Sequence, residues 1–189
     1  MISKMKEIFR DKSRDELARN LNSLGIRADL AERGRPEEKM ENSWYQRSLG
    51  IIDLPEGSVR WINILKKDAS KNSPPLWWVV LCIPDKRPVP DHHVVDIKTI
   101  RKKSFPLFGK VVDVSWKGND HHTRLAEVLS GDAAVKNLVK KIGNLVIRSY
   151  DKEFQGWTLQ VDRRFEPTNQ DWITIQKIAD YILSSPRMF

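Results

Sequence analysis

Only one cysteine, Cys82, occurs among the 189 residues, so no internal disulfide and no CxxC metal or redox motif can form. Long apolar runs are missing too. The longest, Leu76 to Ile83, has eight residues, far short of the roughly 20 that cross a bilayer as a helix. It suits a buried strand instead. No two of the nine glycines are two positions apart, which excludes GxGxxG, and neither GxxxxGK[ST] nor GxSxG is present. The first nine residues carry Lys4, Lys6 and Glu7 and show no secretory signal. We find no internal repeat and no low-complexity tract. A cytoplasmic protein, with no membrane partner, is the expectation.

What the chain has in excess is positive charge. It holds 33 Lys and Arg against 25 Asp and Glu, a net charge of +8. Residues 61–118 carry 11 cations against five acids, net +6, whereas the segments on either side are each at net +1. A localised excess attracts polyanions in a way that the same charge spread evenly does not.

Periodicity predicts the elements. Ser13-Arg14-Asp15-Glu16 reads as a capping box, followed by Leu17, Leu21 and Leu24 at helical spacing and Gly25 as the stop. Residues 27–43, charged and broken by Gly34 and Pro36, read as a linker or exposed arm. Strands are predicted over 59–66, 76–83, 94–100, 111–116, 145–150 and 157–162. In the last, Trp157, Leu159 and Val161 face inward while Thr158, Gln160 and Asp162 face outward. Asp132 and Gly143 bracket a middle helix with Val135, Leu138, Val139 and Ile142 on one side. Thr168 to Asp171 starts a final helix that buries Trp172, Ile175, Ile178, Ala179 and Ile182. The expected fold is α+β: an antiparallel sheet of about five to six strands, packed by an N-terminal, a middle and a C-terminal helix. The division expected is an N-terminal helix and charged linker over 1–43 and a main domain over 44–189. The order of elements is similar to that of secretion-chaperone-like domains, a resemblance that implies binding of polypeptide segments.

Three groups of residues could carry chemistry. All four histidines lie in two triplets, Asp91-His92-His93 and Asp120-His121-His122. Imidazole and carboxylate together ligate zinc and similar metals, although Asp91 also suits a turn and Asp120 a helix N-cap. The first triplet resembles the signature of the DHH phosphoesterases, but the Asp-x-Asp strand motif those enzymes also need is absent. Pro84-Asp85 followed by Asp96-Ile97-Lys98 resembles the PD-(D/E)xK nuclease pattern, which implies Asp85 and Asp96 on a divalent metal and Lys98 beside the scissile phosphate. With 25 acids and 18 lysines, random placement yields about two acid-x-Lys triplets, and the chain has two. The third group is the basic middle: Lys66, Lys67 and Lys71 after one strand, and Lys98, Arg101, Lys102 and Lys103 after another. Aromatics are interleaved at Trp61, Trp77, Trp78, Phe105, Phe108 and Trp116. Cations near flat rings suit single-stranded nucleic acid.

The functional expectation is a non-enzymatic binding or adaptor domain. Its basic face would meet nucleic acid or an acidic protein, without a cofactor. One alternative is a protein-interaction or chaperone-like module, with the leucine stripe docking on a partner or a second copy of the chain. The other is a metal-dependent phosphodiesterase or nuclease.

Overall fold

The computed structural model describes residues 11–87, 94–105, 109–150 and 154–186. In chain order these form α1 (Ser13–Ser23), β1 (Asp29–Leu30), a 3-10 turn (Pro36–Lys39), β2 (Arg47–Asp53), β3 (Trp61–Lys67), β4 (Leu76–Pro84), β5 (Asp96–Lys103) and β6 (Val111–Asn119). They continue with α2 (Leu125–Gly131), α3 (Ala133–Ile142), β7 (Leu145–Tyr150), β8 (Gly156–Val161) and α4 (Asn169–Ser184). The strands make one sheet in the order β1-β2-β3-β4-β8-β7-β5-β6, antiparallel at every pairing. The α+β class with an antiparallel sheet is as expected. The strand number is not, since eight strands replace the five to six read from the pattern.

The two additional strands are β1 and β2. Alternation in β2 is broken by a bulge between Ser48 and Gly50, so that residues 48–52 are all buried. A bulge hides the period of two on which recognition of a strand depends. Gly50 is needed there: its φ is +113°, and a Cβ would fall on the Arg14 guanidinium.

The helices cover one face of the sheet. Leu17, Ala18 and Leu21 of α1, Leu138 and Ile142 of α3, and Trp172, Ile178 and Ile182 of α4 join Ile62, Ile64, Leu81, Ile97, Ile147 and Leu159 in a single core. α1 packs into the same core, and β1 pairs in the same sheet, as the elements beyond residue 43. The N-terminal capping box is not formed. Ser13 is the first helical residue, its hydroxyl donates to Asp11, and Glu16 pairs with Arg164. The other two caps match the sequence: Asp132 accepts from Ala134 N and Val135 N, and Thr168 and Asp171 cap α4 reciprocally. The middle helix expected between Asp132 and Gly143 is α3, and a further short helix, α2, precedes it and ends at Asp132.

The opposite face is half covered. Residues 36–46 run across β3 and β4 as a strap, seating Met40 on Leu65, Val80 and Cys82 with Trp61, Trp78, Tyr150 and Phe154 around them. Asn63 fixes the strap by donating to the carbonyls of Glu37, Glu38 and Met40 at 3.2–3.3 Å. This second layer explains the eight-residue apolar run. In β4, Val79, Leu81 and Ile83 face the helices while Val80 and Cys82 face the strap. It also buries Thr158, which alternation alone places in solvent. Among the described residues, no helix is long and apolar enough to cross a membrane.

Candidate nucleic-acid interface

Past the strap, whose Glu41 reaches as far as β7, strands β5 and β6 present a face that no described helix or strap residue packs on. Its centre is the β5–β6 hairpin. Lys98 lies directly opposite Lys117, and Ile100 opposite Ser115. Side chains opposite each other on an antiparallel ladder share a face with Cβ atoms about 5 Å apart. Gly118 secures this register. Its φ is +138°, and a Cβ there would meet the Asp96 carbonyl oxygen.

Residues 94–119 contain six cations (Lys98, Arg101, Lys102, Lys103, Lys110 and Lys117) and two carboxylates, net +4. Both carboxylates are engaged by cations from other elements: Asp96 by Arg148 at 3.1 Å, and Asp113 by Lys136 at 2.9 Å. Among the described residues, none of the hairpin's six cations has an ion-pair partner within 4 Å. Lys98 and Lys117 sit well inside a Debye length of about 8 Å, so their fields add.

Six of the residues singled out by the sequence fall into separate groups. Lys98 and Lys102 share the uncovered face. Arg101 points to the helical side, where its Nε is buried without an acceptor among the described residues. Lys103 follows a bulge at the hairpin end and is exposed. Lys66 is on the helical side and already neutralised, 2.7 Å from Asp11 and 3.5 Å from Asp68, with Trp77 beneath it. Lys67 is on the strap side, over the Tyr45 ring. Four strand spacings separate β3 from β5, about 19 Å. Lys117 was not singled out from the sequence, since only the register of the hairpin puts it beside Lys98.

Among the described residues, the interleaved aromatics do not lie on the hairpin face. Trp116 is in the core, Trp77 is wedged between Lys66 and Arg164, and Trp61 packs edge-on against Phe154 under the strap. Phe105 is exposed at the hairpin end, and Phe108 lies outside the described residues. Besides Phe105, the exposed aromatics among the described residues are Trp44 and Tyr45, just past the stretch that reads as a charged linker.

Between strap and hairpin lies a polar knot. Glu41, in a left-handed conformation (φ +57°), accepts from Arg148 Nη1 at 2.8 Å, from Thr158 Oγ1 at 3.2 Å and from the Tyr150 hydroxyl. Burial and the Glu41 carboxylate push Tyr150 above its ordinary range, so it stays protonated and donates. Arg148 in turn holds Asp96.

Asp85 and Asp96 are on opposite faces. Asp85 is buried on the helical side, accepting from Trp157 Nε1 at 2.9 Å and from Arg87, which also donates to the Ser185 and Ile182 carbonyls at the end of α4. Asp96 and Lys98 face the other way. The structure thus does not bring the three nuclease-pattern residues together. Asp91, His92 and His93 lie outside the described residues. Asp120 is not a helix N-cap, because α2 begins at Leu125. Asp120 instead accepts from His122 N in a turn where His121 and His122 both have positive φ. Among the described residues, no three His, Cys, Asp or Glu side chains are grouped to hold a metal ion. Burial raises the Cys82 thiol far above its usual range, with the Glu41 and Glu37 charges adding to it, which leaves it inert. Comparison with protein families, with curated proteins and with solved structures returns no match.

Proposed function

We propose that the chain is a non-enzymatic nucleic-acid-binding domain, with the uncovered side of the β5–β6 hairpin taking phosphate groups. One observation carries the reading. Both carboxylates of the hairpin are neutralised from outside it, leaving its own cations without ion pairs among the described residues. Unpaired lysines gathered within a Debye length release condensed counterions when they meet a phosphate backbone, and that release drives association.

The test is the salt dependence of binding, followed by anisotropy of a labelled oligonucleotide between about 50 and 200 mM KCl. Each phosphate contact contributes a slope of roughly −0.7 to −0.9 in log K against log salt. Changing Lys98, Lys102, Lys103 and Lys117 together to Gln is expected to flatten the slope by about 3. Absence of binding at 50 mM salt, or an unaltered slope in the variant, defeats the reading. If an acidic polypeptide binds with that slope and nucleic acid does not, the partner is an acidic protein.

A further inference from the structure

Trp44 is 95% exposed, and Tyr45 beside it is 45% exposed. A tryptophan left this far in solvent gains nothing for the fold, and large apolar groups so displayed mark contact sites. The pair is presented on a held turn. Gln46 N donates to Ser43 O at 2.9 Å, Ser43 N donates to Gln46 Oε1 at 3.0 Å, and Met40 anchors the chain just before them. The rings meet edge to face with centroids 5.6 Å apart, and Lys67 Nζ lies 5.7 Å from the Tyr45 centroid.

This aromatic pair and the basic hairpin flank the same side of the sheet. Lys98 is opposite Val146, Val146 opposite Gln160, Gln160 opposite Val80, and Val80 opposite Asn63. Opposed residues share a face, as do residues four apart on one strand, so Lys67 shares the face of Asn63 and hence that of Lys98. Strand spacing and rise put Lys67 and Lys98 roughly 23 Å apart. That distance fits the ~4–16-nucleotide footprints of single-strand binding folds.

We propose that Trp44 and Tyr45, with Lys67, form a base-stacking platform, and that the ligand is single-stranded nucleic acid running from the β5–β6 hairpin to this platform. The inference rests on the phosphate-binding reading above and narrows it, because the bases of a duplex are already stacked and cannot reach the rings. Asp162 lies on the direct path, on the same face as Gln160, which donates to it at 2.9 Å. It is a built-in probe of that path.

The experiment compares a single-stranded 12-mer with the matching duplex at fixed salt. In the Trp44→Ala/Tyr45→Ala variant, single-strand affinity is expected to fall tenfold or more. Duplex affinity and the salt slope are expected to stay unchanged. Trp44 is nearly fully solvated, so the fold survives its removal. Asp162→Asn is expected to tighten single-strand binding. Wild-type affinity in the double variant, or a wild-type preference for duplex, overturns the platform. Unchanged affinity in Asp162→Asn overturns the path. An intact platform variant with a flattened slope in the lysine variant leaves the phosphate reading standing alone, whereas no binding of any oligonucleotide removes both.

Discussion

Lys98 and Lys117 stand directly opposite each other across the β5–β6 ladder. Like charges so placed destabilise a sheet by about 0.2–1 kcal/mol, a cost that an anion bridging them removes. Lys117→Glu is therefore expected to raise the urea midpoint by a small, measurable amount while weakening oligonucleotide binding. Stability and binding moving in opposite directions is the signature of a binding surface. If both fall together, the lysine pair is a structural feature and nothing more.

Glu41 ties the strap to the sheet through three donors, Arg148, Tyr150 and Thr158. Its removal takes an acceptor from all three, leaving Arg148 with Asp96 alone, a loss of about 1–3 kcal/mol. Glu41→Ala is expected to show that loss in chemical denaturation and to expose the sheet under Met40. Limited proteolysis between residues 36 and 46, faster than in the wild type, checks the second effect.

Much of the fold was legible because most elements obey one periodicity. The stripes Val135-Leu138-Val139-Ile142 and Trp172-Ile175-Ile178-Ala179-Ile182 and the alternation of β8 each declare their element. Where two demands overlap, the signal fades. In β2 the bulge at Gly50 breaks alternation. Residues 27–43 read as an arm because their hydrogen-bond partners, such as Asn63 beneath the strap, are remote in sequence. The candidate site was legible as charge and not as geometry. Composition located the excess in the middle third, but only the strand order separates Lys66 from Lys98, and only the hairpin register joins Lys117 to it. Trp44 carries no such signal, because a lone tryptophan among polar residues has no period.

Asp132 gives the fold a marked acid sensitivity. Burial opposes its charge, but Lys177, the Tyr181 hydroxyl and Val135 N–H outweigh that and hold its pKa at about 2, against an ordinary 3.8. A depressed carboxylate pKa stabilises the native state fully above the unfolded value, and the contribution disappears as pH falls through the folded one. About 2 kcal/mol is therefore expected to be lost between pH 5 and pH 2. In Asp132→Asn, that part of the acid dependence disappears from urea titrations across the range. An identical pH profile in wild type and variant contradicts the assignment.

Two leucines of the α1 stripe are internal, Leu21 fully and Leu17 nearly so, while Leu24 at the end of the helix is half-buried. Leu21→Ala is expected to destabilise by about 2–5 kcal/mol and to leave the solution mass unchanged at equal concentration. A variant of wild-type stability with an altered mass in light scattering would instead make the stripe an assembly surface.

Asp85 separates the structural role from the nuclease role directly. Its carboxylate holds the Trp157 indole and the Arg87 guanidinium, and Arg87 in turn closes the carbonyls at the end of α4. Removing one member of a buried, charged network strands the others, at a cost of about 3–5 kcal/mol for a fully buried pair. Arg87 is partly solvated, so a loss smaller than that, about 2–3 kcal/mol, is expected for Asp85→Ala. Because the network is shared, Arg87→Ala is expected to cost a similar amount, and the double variant less than the sum. Neither change is expected to affect salt-dependent oligonucleotide binding once stability is corrected for, since Asp85 faces away from Lys98. A cleavage activity in Mg²⁺ or Mn²⁺ that vanishes with Asp85→Asn in a still-folded protein would reverse this assignment.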